Sequence, residues 1–212
     1  IKINYDKTIK DDNMKLSSVS MKLDQSILID SMYSPALRFR GITLFKENKK
    51  RYVNDYSKSL LNTNSYKIPA LNDLQKALKI EPDNYNNYKL IGKVYHGIYN
   101  ETKDWNSDFN KDFLEKTIFY YEKWFDLFSI ENIFKYNFAV GQYEYDDLIN
   151  LYSDENDYNK KLECLNNLIN NRKKYKWISS HDYSNRSKLF LKKNEDLLAL
   201  MDLNKAILYD SN

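Results

Sequence analysis

The sequence predicts an all-α protein built from antiparallel helical hairpins, and three observations support this class. The chain has 212 residues with only four Gly and three Pro, whereas all-β sandwiches and barrels need frequent turn residues to reverse short strands. Hydrophobic residues make up 42% and charged residues 30% of the chain, which is typical of a folded protein rather than a disordered one. Apolar residues also recur at helical spacing in segments that resemble one another.

The chain is expected to begin with a polar, loosely ordered segment over residues 1–17. Leu23, Ile27 and Leu28 then predict one helix, because residues three to four apart share a helix face. Pro35 suits the first turn of the helix that follows, since proline lacks the N–H that this turn does not use.

The helix after Pro35 carries a small residue between larger ones, and this pattern recurs twice. In a helix interior, glycine costs about 1 kcal/mol relative to alanine, so it indicates that another helix approaches closely. The three occurrences are Leu37-x2-Arg40-Gly41-x2-Leu44, Tyr88-x2-Ile91-Gly92-x2-Tyr95 and Tyr183-x2-Arg186-Ser187-x2-Phe190.

A second pattern describes the helix that would pair with each of these. It occurs as Ala70-x3-Leu74-x2-Ala77-Leu78-x3-Pro82-Asp83-Asn84 and as Ala199-x3-Leu203-x2-Ala206-Ile207-x3-Ser211-Asn212. In the middle of the chain, Thr117-x3-Tyr121-x2-Trp124 matches this second helix less closely, and residues 132–150 followed by 157–168 match a further pair of helices.

Together the two patterns resemble the tetratricopeptide repeat (TPR), whose signature is W-x2-L-G-x2-Y, then A-x3-F, then P, within about 34 residues. Residues 180–212 carry both helices of one unit at uninterrupted spacing. The resemblance covers about residues 35–212, with insertions at roughly 49–66 and 98–112. It implies helical hairpins stacked into a right-handed superhelix, the alpha-alpha superhelix, in a single domain over residues 18–212. The expected units are about 35–84, 85–131, 132–176 and 180–212.

The resemblance also implies a binding face, because the first helix of each unit lines a concave groove that commonly holds an extended peptide or a partner helix. These positions combine cations with aromatics and include no carboxylate, which predicts a protein partner with an acidic, partly apolar segment. We therefore expect a non-catalytic interaction scaffold or assembly factor without a cofactor. The groove positions are Arg38, Ile42, Phe45, Asn86, Lys89, Lys93, His96, Tyr136, Val140, Tyr143, His181, Ser184, Lys188 and Leu191.

Two basic runs, 46–51 and 172–177, raise the alternative of a helical-repeat protein that binds single-stranded RNA. The second run contains Tyr175 and Trp177, and cations interleaved with aromatics suit phosphates and stacked bases. The other interpretation is a solvated helix end, where cations complement the helix dipole. The net charge of only +3 favours this second interpretation over nucleic-acid binding.

One segment has oxygen ligands spaced as in a calcium-binding loop: Asp104, Asn106, Asp108, Asp112 and Glu115. Phe109 stands where that loop needs a glycine for its turn. The favoured interpretation is a capping box, in which Asp112 and Glu115 satisfy the N–H groups at the start of a helix.

The residues of catalytic chemistry are sparse. His96 and His181 lack a second His or Cys at zinc-ligand spacing. Ser180, His181 and Asp182 are adjacent, but triad geometry is assembled in space rather than along the sequence. We expect Trp105, Trp124 and Trp177 to serve packing rather than ligand stacking.

The remaining features concern stability, compartment and assembly. The single cysteine, Cys164, excludes an internal disulfide. No apolar run approaches the roughly 18 residues of a membrane span. The chain starts at Ile1 rather than Met, so upstream residues are expected to have been removed. The compartment stays open between the cytoplasm and the cell envelope. The final helix, 197–209, is apolar nearly all round, which predicts that a missing helix, a second copy of the chain or a partner covers it. Its large apolar residues include Leu198, Leu200, Met201, Leu203, Ile207 and Leu208.

Overall fold

The computed structural model describes residues 18–52, 64–102, 107–129, 135 and 139–210. Within these ranges all regular secondary structure is helical and no strand occurs. The all-α prediction is therefore confirmed. The backbone contacts group the chain into two compact units, Ile1–Leu127 and Phe128–Asn212. The expected single domain over residues 18–212 stays a prediction.

The first unit contains five helices within its described residues, and they pack as successive hairpins. The helix α2 packs against α3, α3 packs against α4, and α2 also contacts α4. The turn between α3 and α4 is closed by Asn87, whose side-chain amide donates to the carbonyl oxygens of Ala77 and Glu81 at 3.2 and 2.8 Å. The helices are α1 (18–29), α2 (Ser34–Tyr52), α3 (Asn64–Ile80), α4 (Tyr85–Thr102) and α5 (Ser107–Phe128).

The two glycines of the repeated pattern lie where a second helix approaches. A Cβ atom added at Gly41 would lie 2.8 Å from Cγ of Leu74 on α3. One added at Gly92 would lie 2.6 Å from the ring of Tyr121 on α5. Because real Cβ atoms do not approach other atoms so closely, no larger residue fits at either position without a shift. The predicted close approach is confirmed at both glycines.

In the second unit, α7 packs against both α6 and α8, and α9 packs on α8. Three of the helix ends share one geometry. Asn156, Lys176 and Asn194 adopt left-handed φ angles of 63°, 62° and 57°, which allow the next N–H to bond back to the last helical turn. The helices are α6 (Ala139–Asp154), α7 (Tyr158–Lys174), α8 (Ser180–Lys192) and α9 (Asp196–Asp210).

An arginine–aspartate fork joins the two helices of the first hairpin. Nε and Nη2 of Arg40 each donate to one carboxylate oxygen of Asp73 at 2.7 Å. Asp73 is buried, so the pair exchanges contact with water for two charge-assisted hydrogen bonds. The third nitrogen of Arg40 donates to Asp24 of α1 at 2.9 Å, and the arginine therefore connects three helices.

The last hairpin repeats this fork with different residues at the same places in the pattern. Arg186 donates to both carboxylate oxygens of Asp202 at 2.7 and 2.8 Å. Its third nitrogen donates at 2.7 Å to Asn166 of the preceding helix. Each arginine directly precedes the small residue of the first helix, and each aspartate directly precedes a leucine of the second. The repeat is thus visible in its polar contacts as well as in its apolar spacing.

The second predicted insertion, residues 98–112, is helical where it is described, because α4 continues to Thr102 and α5 begins at Ser107. Ile98 and Tyr99 are buried, so the additional residues lengthen both helices and enlarge the core. The first insertion, 49–66, lies largely outside the described residues.

The predicted capping box at Asp112 is wrong, because α5 begins five residues earlier. Asp112 accepts from Lys116 at 2.6 Å, and Glu115 lies 3.8 Å from Lys111. Both are exposed pairs one helical turn apart. A helix that starts at Ser107 is likewise incompatible with a calcium loop over residues 104–115. Asp104 and Asn106 lie outside the described residues, as does the side chain of Asp108.

We expect Asp202→Ala to lower the free energy of unfolding by about 3–5 kcal/mol, because Arg186 would keep a partly buried charge without its partner. Urea denaturation measures this change. The control is Asp126→Ala, which removes an exposed pair with Lys123 at 3.9 Å and should cost less than about 1 kcal/mol. Equal losses for the two variants would contradict a structural role of the fork.

Candidate partner-binding surface

Two of the predicted groove positions on α2, Arg38 and Phe45, make contacts within the protein. Arg38 donates to Ser34 at 2.8 Å and forms an ion pair with Glu81 at the end of α3. The ring of Phe45 fills the space beside Gly97 of α4, where an added Cβ would lie 2.7 Å from its Cζ atom. The charge of Arg38 is therefore largely neutralised within the protein, and Phe45 contributes to packing between the two first helices.

The carboxylate of Glu81 is strongly held by this ion pair. The hydrogen bond from Arg38 is the largest influence that lowers the pKa of Glu81, and a second hydrogen bond, from Asn84 at 2.7 Å, acts in the same direction. Glu81 thus remains ionised below the usual range of a glutamate. The turn between α3 and α4 gains a fixed negative charge that faces Arg38.

The groove positions on α4 form a cationic face supported by aromatic residues of α5. Nζ of Lys89 lies 4.5 Å from the ring centroid of the buried Trp124, within the range of a cation–π interaction. Nδ1 of His96 lies 3.3 Å from the hydroxyl oxygen of Tyr121. Lys93, between them on the helix, is half-buried. Asn86, at the start of α4, is exposed.

In the second unit, the described groove positions are mostly exposed. Tyr143 is 70% exposed and Leu191 is 50% exposed, so both can supply apolar area to a partner. His181 lies 2.9 Å from the amide nitrogen of Asn185. Ser184 is half-buried and Lys188 is exposed. Tyr136 lies outside the described residues, and the side chain of Val140 does as well.

Lys188 lines a cavity together with two lysines that the sequence patterns did not identify. They are Lys161 on α7 and Lys192 on α8. Lys192 could have been found from the sequence, because it follows Lys188 by one helical turn and shares its face. Lys161 gave no such signal, since its approach to α8 depends on how α7 packs.

The adjacent Ser180, His181 and Asp182 do not form a catalytic group. Asp182 is 1% exposed, where it accepts from the backbone N–H of Ser179 at 2.9 Å and pairs with Arg172. This is a capping box at the start of α8 combined with an ion pair to α7. The carboxylate is therefore occupied by structural contacts rather than oriented toward His181.

The basic run at 172–177 lies at the C-terminal end of α7, as the helix-end interpretation predicts. Arg172 pairs with Asp182 and lies 3.7 Å from Asp146. Lys173, Lys174 and Lys176 are exposed, where their charges complement the helix dipole. In the other basic run, Lys46 is exposed, and the side chains that follow it lie outside the described residues.

Other kinds of site have little support in the part of the chain that the structure describes. No group of three or more His, Cys, Asp or Glu residues there could hold a metal ion. Cys164 is half-buried and not part of a disulfide. None of the described helices combines the length and the apolar character needed to cross a membrane.

The fold is shared with solved structures, although no family model and no curated protein matches the sequence. Two crystal structures of MamA each superpose with a TM-score of 0.58 at 13% identity. These superpositions cover 95% and 96% of this chain and 92% and 87% of the MamA chains. The chain therefore has the TPR-like helical-repeat fold that the sequence motifs predicted.

Two further structures superpose less well. TTC0263, a thermophilic TPR protein of Thermus thermophilus, has a TM-score of 0.46 at 13% identity, over 92% of this chain and 82% of that one. The human IFIT1 dimer with PPP-AAAA has a TM-score of 0.47 at 18% identity, over 90% of this chain and 45% of IFIT1.

The lowered pKa of Glu81 makes its contribution to stability depend on pH. That contribution is present above the ordinary glutamate value of 4.5 and is lost as the pH falls through the lower folded value. We expect Glu81→Gln to reduce the free energy of unfolding by up to about 1 kcal/mol at neutral pH, since Glu81 is partly exposed, and by less at about pH 3. Urea denaturation at both pH values measures the difference, with Glu155→Gln as an exposed control. A loss independent of pH would contradict this role.

Proposed function

We propose that this chain is a non-catalytic protein–protein interaction scaffold that binds an acidic, partly apolar segment of its partner. The observation that carries the proposal is the cationic face of α4, where Lys89, Lys93 and His96 lie along one side of the helix. This face belongs to the first helix of a hairpin, which is the helix that the TPR resemblance assigns to the binding groove. The MamA-like fold supports a scaffold in general terms.

The aromatic support under Lys89 is suited to binding an anionic side chain. A lysine whose ammonium lies over the ring of Trp124 is held in place before a partner arrives, so less side-chain entropy is lost on binding. In the second unit, the exposed side chains of Tyr143 and Leu191 offer apolar contacts to a partner.

The buried acidic groups favour a scaffold over an enzyme. Asp73, Asp182 and Asp202 are buried, and each is paired with an arginine that connects neighbouring helices. Catalytic carboxylates more often lie in a cleft with a perturbed pKa and room for a substrate. These three carboxylates instead form ion pairs that hold neighbouring helices together.

The proposal predicts that charge reversal on α4 weakens binding of acidic peptides. Lys89→Glu with Lys93→Glu should raise the Kd for an acidic peptide with aromatic anchors by at least about tenfold and flatten its salt dependence. The control is Lys22→Glu with Lys79→Glu, two exposed lysines of the same unit that lie outside α4. Fluorescence anisotropy at low and high salt measures both. Unchanged affinity in the α4 variant would overturn the groove assignment.

The same titration with oligo-uridine distinguishes the alternative of single-stranded RNA binding. Salt-sensitive binding of oligo-uridine that survives the α4 charge reversal but is lost on removing the charges of Lys173 and Lys174 would favour the RNA alternative. Binding of acidic peptides without comparable binding of oligo-uridine would support the scaffold.

We also propose that the chain self-associates through α9, because this helix buries only one side. Leu197 and Ile207 are 73% and 64% exposed, and such a helix expects cover on its apolar face. We expect light scattering to show a concentration-dependent dimer that Leu197→Ser with Ile207→Ser converts to monomer. Leu28→Ser with Ile29→Ser, which removes comparable exposed apolar area from α1, is the control. A monomer at every concentration would contradict self-association.

A further inference from the structure

A cavity of about 190 Å³ lies among α6, α7 and α8 of the second unit. Its apolar lining comes from Ile149, Leu165 and Leu189, and its charged lining from Lys161, Lys188 and Lys192. By the same measure, a cavity needs only about 10–15 Å³ to hold one water molecule. This cavity therefore has room for a chemical group considerably larger than water.

The three lysines bring an excess of positive charge to the cavity, and no carboxylate lines it. Lys188 and Lys192 are one turn apart on α8, and Lys161 reaches the cavity from α7. Asp154, at the end of α6, is the acidic group that acts on Lys161. Three ammonium groups and one carboxylate leave a local net charge of +2.

Electrostatic repulsion within this group is visible at Lys161. Burial, followed by the charge of Lys192, lowers the pKa of Lys161, and Asp154 opposes this shift. Nζ of Lys161 also donates to the hydroxyl of Ser153, which orients the ammonium group. A bound anion would relieve the repulsion between the lysines, so the charge distribution around the cavity favours one.

Neutral hydrogen-bonding groups complete the lining. Asn150 and Asn185 carry amides, and Tyr158 carries a hydroxyl. Nζ of Lys192 lies 5.6 Å from the ring centroid of Tyr158, which limits the freedom of the lysine beside the cavity. Amide and hydroxyl donors together with ammonium groups match an oxyanion that accepts several hydrogen bonds.

We propose that this cavity binds a phosphomonoester dianion. Such a group carries about −1.5 to −2 charge at neutral pH and three strong acceptor oxygens. It therefore offsets the local charge and offers one oxygen to each lysine, whereas a single carboxylate leaves half of the charge uncompensated. Lysine is a common phosphate-binding residue because its ammonium acts as a compact charge with three donors. The phosphate can come from a phosphorylated side chain of a partner or from a small phosphorylated metabolite.

The test uses the whole chain and isothermal titration calorimetry with two phosphate probes. These are a phosphoserine peptide and glycerol phosphate. The variant Lys188→Gln with Lys192→Gln should raise the Kd for both by at least about tenfold, because charged hydrogen bonds are lost at two exposed positions that should not affect folding. The control, Lys173→Gln with Lys176→Gln, removes the same charge at the end of α7 and should leave both Kd values nearly unchanged.

The comparison of probes decides the source and the chemistry. Tighter binding of the phosphoserine peptide supports a partner's side chain, and comparable binding of glycerol phosphate supports a free metabolite. The inference is overturned if neither probe binds, if the control variant loses as much affinity as the cavity variant, or if the same peptide with glutamate in place of phosphoserine binds equally well. Lys89→Glu with Lys93→Glu should retain phosphate binding, so failure of the proposed scaffold function would be distinguishable.

Discussion

In the first and last hairpins, a buried aspartate accepts hydrogen bonds from two nitrogens of one arginine. The packing of both hairpins depends on this contact. Arg40 with Asp73 and Arg186 with Asp202 occupy matching places in the repeat, and each arginine also reaches the preceding helix. Once these charges are buried they must stay paired, because an unpartnered buried ion is far more costly than the pair is stabilising. The fork thus fixes how three successive helices meet.

The hairpin of α4 and α5 packs without an ion pair at the corresponding position. Ile91 stands where the first and last hairpins have arginine, and it is completely buried. The close approach there is between Gly92 and the ring of Tyr121. This position therefore holds isoleucine in one hairpin and a paired arginine in two others. In all three, the small residue that follows allows the helices to approach. The position tolerates different chemistry because the backbone spacing is the constant requirement.

Arginine and lysine occupy different places in this structure: the arginines of the hairpins pair with buried aspartates, and the proposed binding sites contain lysine. The buried aspartates pair with arginines that join neighbouring helices, while the lysines of the proposed sites are at least partly exposed, on α4 or beside a cavity. On α4, aromatic residues below Lys89 and His96 give these groups fixed positions. In the second unit, lysines from two helices surround a cavity without a carboxylate in its lining. Both arrangements favour anions, but of different size and charge.

The sequence by itself determined the fold class and the faces of the helices, because apolar spacing and small residues such as Gly41 and Gly92 are local signals. It did not determine which charged residues pair with each other or line the same cavity. Arg38 is neutralised by Glu81, a residue of the next helix, and Lys161 joins Lys188 only because α7 packs beside α8. The start of α5 at Ser107 was also missed. Ion pairs and cavities arise between residues distant in sequence, so only the tertiary structure decided them.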